Sequence, residues 1–290
     1  MPTSIAAMLT SAPRYPERIV CLTEETTEIL YSLGAGDRVV GISGFTVRPK
    51  EARQKPKVSS FLDANFERIL ELKPDLVLGF SDLQADLARE LIKRGVPVYT
   101  FNQRSLAEIL QTVRVVGALA GLAKEAEALA ETLKANLERH AREAQALPRR
   151  PRVFFEEWHE PLISGIRWCS ELVELVGGED VCAETRSQQG AKGRIFEPTE
   201  VARRDPEVVI ASWCGRKASE KLIRARPGWS EVSAVKNDQL YEVKSTLILQ
   251  PGPAALTDGV AEVARIVAAA ARGEHLPRPR AGDLRRASRG

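Results

Sequence analysis

A chain of 290 residues, 43% of them hydrophobic, is longer than one ordinary domain and rich enough in apolar side chains for a real core, which excludes disordered and collagen-like architectures. The formal net charge of +3 lies at the end of the chain, where Arg278, Arg280, Arg285, Arg286 and Arg289 stand against Asp283 alone. The body is therefore close to neutral and shows no basic stripe for nucleic acid, and without a run of about 18 apolar residues no membrane-spanning helix is expected.

The chain opens with Met1 to Arg14, which has no early Lys or Arg and only the short apolar stretch Ile5 to Leu9. That is too little for a signal peptide, so the sequence as written predicts a cytoplasmic protein, or a periplasmic or cell-surface one if the true start lies upstream. Arg18 to Leu22 reads as a strand. Thr23 to Leu33 reads as a helix capped by Thr23, with Glu24 and Glu25 in its first turn and Gly34 and Gly36 behind it. Val39 to Ser43, Leu76 to Phe80 and Val96 to Phe101 follow as strands, separated by helices at Phe66 to Leu72 and Leu83 to Arg94. Strands alternating with helices predict a parallel sheet covered on both faces.

From Ser105 to Leu147 the apolar positions, among them Ile109, Val113, Val116, Leu133 and Leu137, recur every three or four residues and predict one long helix that Gly117 and Gly121 weaken only modestly. Pro148 and Pro151 end it. A second series then begins with Val153 to Glu156, Ser170 to Val176, Val208 to Ala211, Leu240 to Val243 and a last helix from Ala254 to Arg272. The predicted fold class is α/β: two Rossmann-like lobes with parallel sheets, residues 17–103 and 151–272, joined by one long α-helix over 104–148, with a ligand cleft between the lobes and a disordered basic tail over 273–290.

Several segments together resemble the helical-backbone (class III) substrate-binding proteins of ABC importers for vitamin B12, siderophores and haem. Arg18-Ile19-Val20-Cys21-Leu22, Thr26-Thr27-Glu28-Ile29-Leu30 and the run Leu33 to Gly41 match the family's opening, and Phe66 to Leu78 and Asp205 to Ile210 match one segment in each lobe. Pro251-Gly252-Pro253 resembles its closing motif, although the Arg that commonly follows is Ala254 here. Among such proteins the resemblance is nearest to the corrinoid binder. It implies no enzymatic activity and no cofactor, with a corrinoid such as cobalamin or cobinamide as ligand of a monomer partnered by an ABC permease, whereas the lack of an export signal favours a protein that is itself an intracellular corrinoid carrier. A ferric siderophore or haem is the alternative ligand of the same fold.

A corrin ring has wide apolar faces edged with amides, which calls for stacking side chains in loops after strands. The corresponding loops supply Phe45, Phe61, Phe80, Trp158, His159, Trp168, Trp213 and Cys214, with Gln250 just before the closing motif. Arg167, Arg194, Arg216 and Lys217 are the basic candidates there, offset by Glu156, Glu157, Glu160 and Glu184. The resemblance also implies docking on the permease through one acidic residue per lobe, Glu67 in the first and Glu197 or Glu200 in the second. The four cysteines, Cys21, Cys169, Cys182 and Cys214, form no CxxC pair, and Cys21 and Cys182 read as core. His159 with Cys169 and Cys214 leaves open a soft-metal site, and Cys214 with His159 a thiol- or metal-dependent enzyme.

Overall fold

The computed structural model describes residues 14–277 and 284–285. The opening segment and most of the basic tail, including Arg278, Arg280, Asp283, Arg286 and Arg289, lie outside the described residues. The chain forms two compact units, one of residues up to Gln103 with Gln111–Glu131, the other of Arg104–Leu110 with Thr132 onward.

The first unit is built on five parallel strands, β1 (Ile19–Cys21), β2 (Val39–Ser43), β3 (Lys57–Ser59), β4 (Leu76–Phe80) and β5 (Val98–Phe101), in the order β3-β2-β1-β4-β5. Val20, Leu22, Val58, Ile69, Val77, Leu91 and Val96 form its core, each such side chain contributing roughly 1.5–3 kcal/mol by leaving water. β2 and β4 have the bounds their apolar runs predict. β3 is unpredicted, because three residues starting with an exposed lysine carry no alternation to read. Helix α1 (Glu24–Ser32) starts at Thr23, but the threonine side chain does not cap it. Its hydroxyl donates to Glu25 Oε1 at 2.7 Å instead.

The single helix expected from Ser105 to Leu147 is replaced by two, α4 (Leu106–Leu119) and α5 (Ala123–Ala144), with α2 (Phe66–Glu71) and α3 (Ala85–Lys93) preceding them. The break is a Schellman stop. Gly121 has φ +73°, its N–H donates to Ala118 O at 3.1 Å, and the Leu122 N–H reaches Gly117 O at 2.7 Å. Gly117 is required for a different reason, since a Cβ there would lie 2.1 Å from the Ala126 Cβ of the returning helix. The apolar spacing runs on through the break because both helices bury the same kind of stripe.

The second unit has a mixed sheet, which corrects the expectation of two parallel sheets. β6 (Arg152–His159) runs three residues past the predicted Glu156 and folds back at Glu160–Pro161 into β7 (Leu162–Ser164), antiparallel to it. β9 (Ile195–Phe196) pairs antiparallel with β7, whereas β8 (Glu179–Asp180), β10 (Val208–Ala211) and β11 (Leu240–Glu242) continue parallel. Phe154, Trp213, Trp229, Val209 and Leu240 are central to the core of this unit.

The expected disordered tail is corrected at the two residues of its distal part that are described. Leu284 is fully buried in that core. Arg285 pairs its backbone with Leu240 O at 3.0 Å and the Glu242 N–H at 2.8 Å, and its guanidinium with Asp238 at 2.6 Å. Net charge alone could not reveal the burial of this leucine or the pairing of this arginine.

Candidate functional site

Both sheets have a point where the chain leaves neighbouring parallel strands in opposite directions, and such switch points, outside the carboxyl ends of the strands, are where α/β folds receive ligands. In the first unit this point lies between β1 and β4, since β2 and β3 stack outward on one side and β5 on the other. In the second it lies between β6 and β10, with β11 beyond β10 and β7 beyond β6.

At the carboxyl end of the first sheet, Phe80 closes β4 and is 6% exposed, and the Phe61 ring lies 6.5 Å from it. Phe45, after β2, is 53% exposed. Two leucines in the same set of loops, Leu62 and Leu83, are exposed to a similar extent. Sequence reading misses both, because a leucine at a loop tip looks like any core leucine displaced by one residue. Glu24 and Glu25 follow β1. Burial pushes the Glu25 carboxyl up to about 8, with the Glu24 charge adding to it, and burial raises Glu24 as well. Glu25 accordingly favours its neutral form at the carboxyl end of β1.

The second unit gathers its rings around the last residues of β6. His159 stacks on Trp213 at 4.3 Å and 23°, and Trp158 meets both edge-on at 5.1 and 6.5 Å. The Trp158 indole N–H is tied to Glu160 O at 2.8 Å. Burial, and then the Arg216 guanidinium 3.4 Å from Nε2, hold His159 below the usual histidine range, so it is a neutral imidazole at pH 7. Beneath the rings, Glu156 is fully buried. It accepts two hydrogen bonds from Arg226, at 2.6 and 2.7 Å, and one from Trp213 Nε1 at 2.8 Å. Nothing in the sequence singles out Arg226, which lies 70 residues away from Glu156 in an unremarkable polar stretch.

Other expected contacts are placed differently. Trp168 and Trp213 are 2% and 1% exposed. Trp168 donates its indole N–H to Ile248 O at 2.7 Å and is packing, not an open stacking face. Its neighbour Cys169 is fully buried against the same carbonyl, and Cys214 is exposed. Burial raises the Cys21, Cys169 and Cys182 thiols, Cys21 to about 12, so these three remain protonated. Among the described residues no three His, Cys, Asp or Glu side chains are grouped so that they could hold a metal ion.

Two of the four basic candidates are paired with carboxylates. Arg194 is buried and bonded to Glu157 at 2.5 Å, and Arg167 to Glu171 at 2.7 Å. Arg216 and Lys217 remain at the exposed surface. Gln250 is half-buried, and its carbonyl accepts from the Gly252 N–H at 2.8 Å. Of the docking candidates, Glu67 is exposed in the first turn of α2, which Asn65 caps by accepting from the Arg68 N–H at 3.0 Å. Glu197 is exposed at the start of α6 (Pro198–Arg203), whereas Glu200 is bonded to Arg204 at 2.7 Å.

Comparison with known proteins places these features in a wider group. The family described as periplasmic binding protein matches residues 19–247. The ABC transporter substrate-binding lipoprotein YvrC of Bacillus subtilis is 30% identical over 261 residues, 87% of this chain and 80% of that one. The vitamin B12-binding protein of Vibrio parahaemolyticus is 28% identical over 252 residues, covering 86% of this chain and 88% of its own. Among solved structures, the periplasmic vitamin B12 binding protein BtuF of Vibrio cholerae has a TM-score of 0.70 at 26% identity over 88% of this chain and 98% of that one. The haem-binding protein RhuT of Roseiflexus, with a TM-score of 0.72 at 22% identity over 87% of this chain and 99% of its own, shares the fold. No described helix is long and apolar enough to cross a membrane. The cytoplasmic expectation finds no support among these relatives.

Proposed function

We propose, from the premise that the chain belongs to the periplasmic binding protein family, that its ligand is a corrinoid, held by the ring-bearing loops at the carboxyl ends of its strands. It is a substrate-binding protein and not an enzyme, which leaves no role for thiol chemistry at Cys214 and His159. The family implies a small-molecule ligand and an ABC permease as partner. On this reading the protein works outside the cytoplasm, and Glu67 and Glu197 meet the permease.

The observation that carries the ligand assignment is the pair Trp158 and His159, backed by the buried Trp213 ring, with the charges beneath them internally compensated. An anionic ferric complex would call for several guanidinium groups turned toward it, but Arg194 and Arg226 are buried against Glu157 and Glu156, which leaves Arg216 as the guanidinium beside the rings. A corrin ring with a neutral amide rim needs apolar faces and modest polarity instead. The relatives named as vitamin B12-binding support the same choice.

Trp158→Ala should weaken cobinamide binding by about 1–3 kcal/mol, the worth of burying such a ring. Trp168→Phe should leave that affinity within about twofold, since the Trp168 ring is enclosed. Titration followed by corrin absorbance reads both, and unchanged affinity in the Trp158 variant would refute the placement of the ligand.

A further inference from the structure

Gln84 is 1% exposed and lies one turn beyond the end of β4, yet both ends of its amide are used outside that turn. Its Oε1 accepts from the Phe80 N–H at 2.9 Å, and its Nε2 donates to the Phe61 carbonyl at 2.9 Å. One side chain thus ties the loop after β3 to the loop after β4. The loop it holds is a tight one: Ser59 and Ala64 bridge across its base, the Ser60 N–H donates to Asp63 O at 2.8 Å, and Phe61 and Leu62 form its tip. Ser81, which opens the other loop, sits at φ +66°, an unfavourable setting for a residue with a Cβ. Its Oγ accepts from the Leu83 N–H at 3.2 Å, and its own N–H donates to Phe101 O at 2.7 Å.

We infer that Gln84 is a positioning residue for ligand binding, fixing Phe61 against Phe80 and presenting the exposed Leu62 and Leu83 as further apolar ligand contacts. This rests on the reading that a corrinoid binds at these loops. The physical advantage is preorganisation, because a loop tip held in place before the ligand arrives loses little freedom on binding. Only a side chain with a donor and an acceptor at the right span can bridge the Phe61 carbonyl and the Phe80 amide. Glutamine supplies both, whereas its isosteres supply one or neither.

Three variants of the full chain separate the possibilities. Gln84→Met keeps the shape and removes both bonds; it should lower cobinamide affinity by about fivefold or more and speed amide exchange at Leu62 and Asp63. Leu83→Ser should weaken binding without changing that exchange. Gln84→Glu retains the acceptor for the Phe80 N–H, but as a carboxylate it repels the Phe61 carbonyl and regains the donor only when protonated. Its affinity should therefore recover toward wild type as the pH falls from 8 to 5, relative to wild type at each pH. The acidic residues of the two joined loops, Asp63 and Asp82, are exposed and common to all variants.

A wild-type protein that binds cobinamide while Gln84→Met binds it within twofold would overturn the inference, as would a Gln84→Glu variant with no pH response of its own. Failure of wild type to bind any corrinoid would remove the ligand reading instead. Faster exchange at Leu62 and Asp63 in Gln84→Met would then still uphold the loop-fixing role, and unchanged exchange would refute it.

Discussion

Glu156→Ala should destabilise the second unit by about 3–5 kcal/mol, because it strands the buried Arg226 guanidinium without its counter-charge. The pair is 0% and 8% exposed, bidentate at 2.6 and 2.7 Å, and shares the Trp213 indole donor. Removing one partner leaves an uncompensated charge in the core. Removing both is another matter: in Glu156→Leu with Arg226→Met the residual loss is the unmatched Trp213 N–H, about 1–3 kcal/mol. The double variant should thus be more stable than Glu156→Ala alone. Urea unfolding followed by tryptophan fluorescence measures this, and additive losses would show that the pair is not coupled as described. Binding should fall in the single variant too, since Trp213 is the ring on which His159 stacks.

Glu25→Gln should stabilise the first unit in alkaline but not in acidic solution. A carboxyl whose folded pKa is raised from an ordinary 4.5 to about 8 holds its proton more tightly folded than unfolded. Its contribution is therefore fully present below the unfolded value and lost as pH rises through the folded one. Glutamine has no proton to lose, so the gap between variant and wild type should open from pH 4.5 and level off above pH 8. Each tenfold gain in proton affinity is worth roughly 1.4 kcal/mol, which makes the full gap on the order of a few kcal/mol. The cause is specific: the carboxyl is buried, Glu24 and Glu28 add negative charge, and the Thr23 hydroxyl offsets only part of the cost. Urea midpoints at pH 4.5 and 8.5 would check it; equal differences at the two values would contradict a buried, proton-holding Glu25.

What is legible in the chain follows from how much each signal depends on distant residues. β2, β4 and β10 are continuous apolar runs enclosed on both faces, so their bounds can be read directly. β8 and β9 have two residues each and exist only because β6 and β7 lie beside them. The helix break at Gly121 depends on a left-handed turn that apolar spacing does not register. The site divides in the same way. That rings cluster at the end of β6 can be anticipated from their position in the chain, although Trp158 and His159, expected in the loop that follows, are the last residues of the strand itself. Which ring faces outward cannot be anticipated, because Trp168 and Trp213 owe their burial to Ile248 and Glu156, each far away in sequence. Gln84 and Arg226 escape notice for the same reason, since a polar side chain gains its role from the partner that folding brings to it.

The central claim is the chemistry of the ligand, and the direct measurement is titration of the purified chain, side by side, with cyanocobalamin, dicyanocobinamide, haemin and a ferric siderophore. Visible absorbance and tryptophan fluorescence would be recorded throughout. We predict saturable shifts of the corrin bands with quenched indole emission, and weaker or no response to the iron complexes. Tight uptake of haemin or the ferric complex, with the corrinoids leaving both signals untouched, would contradict the assignment.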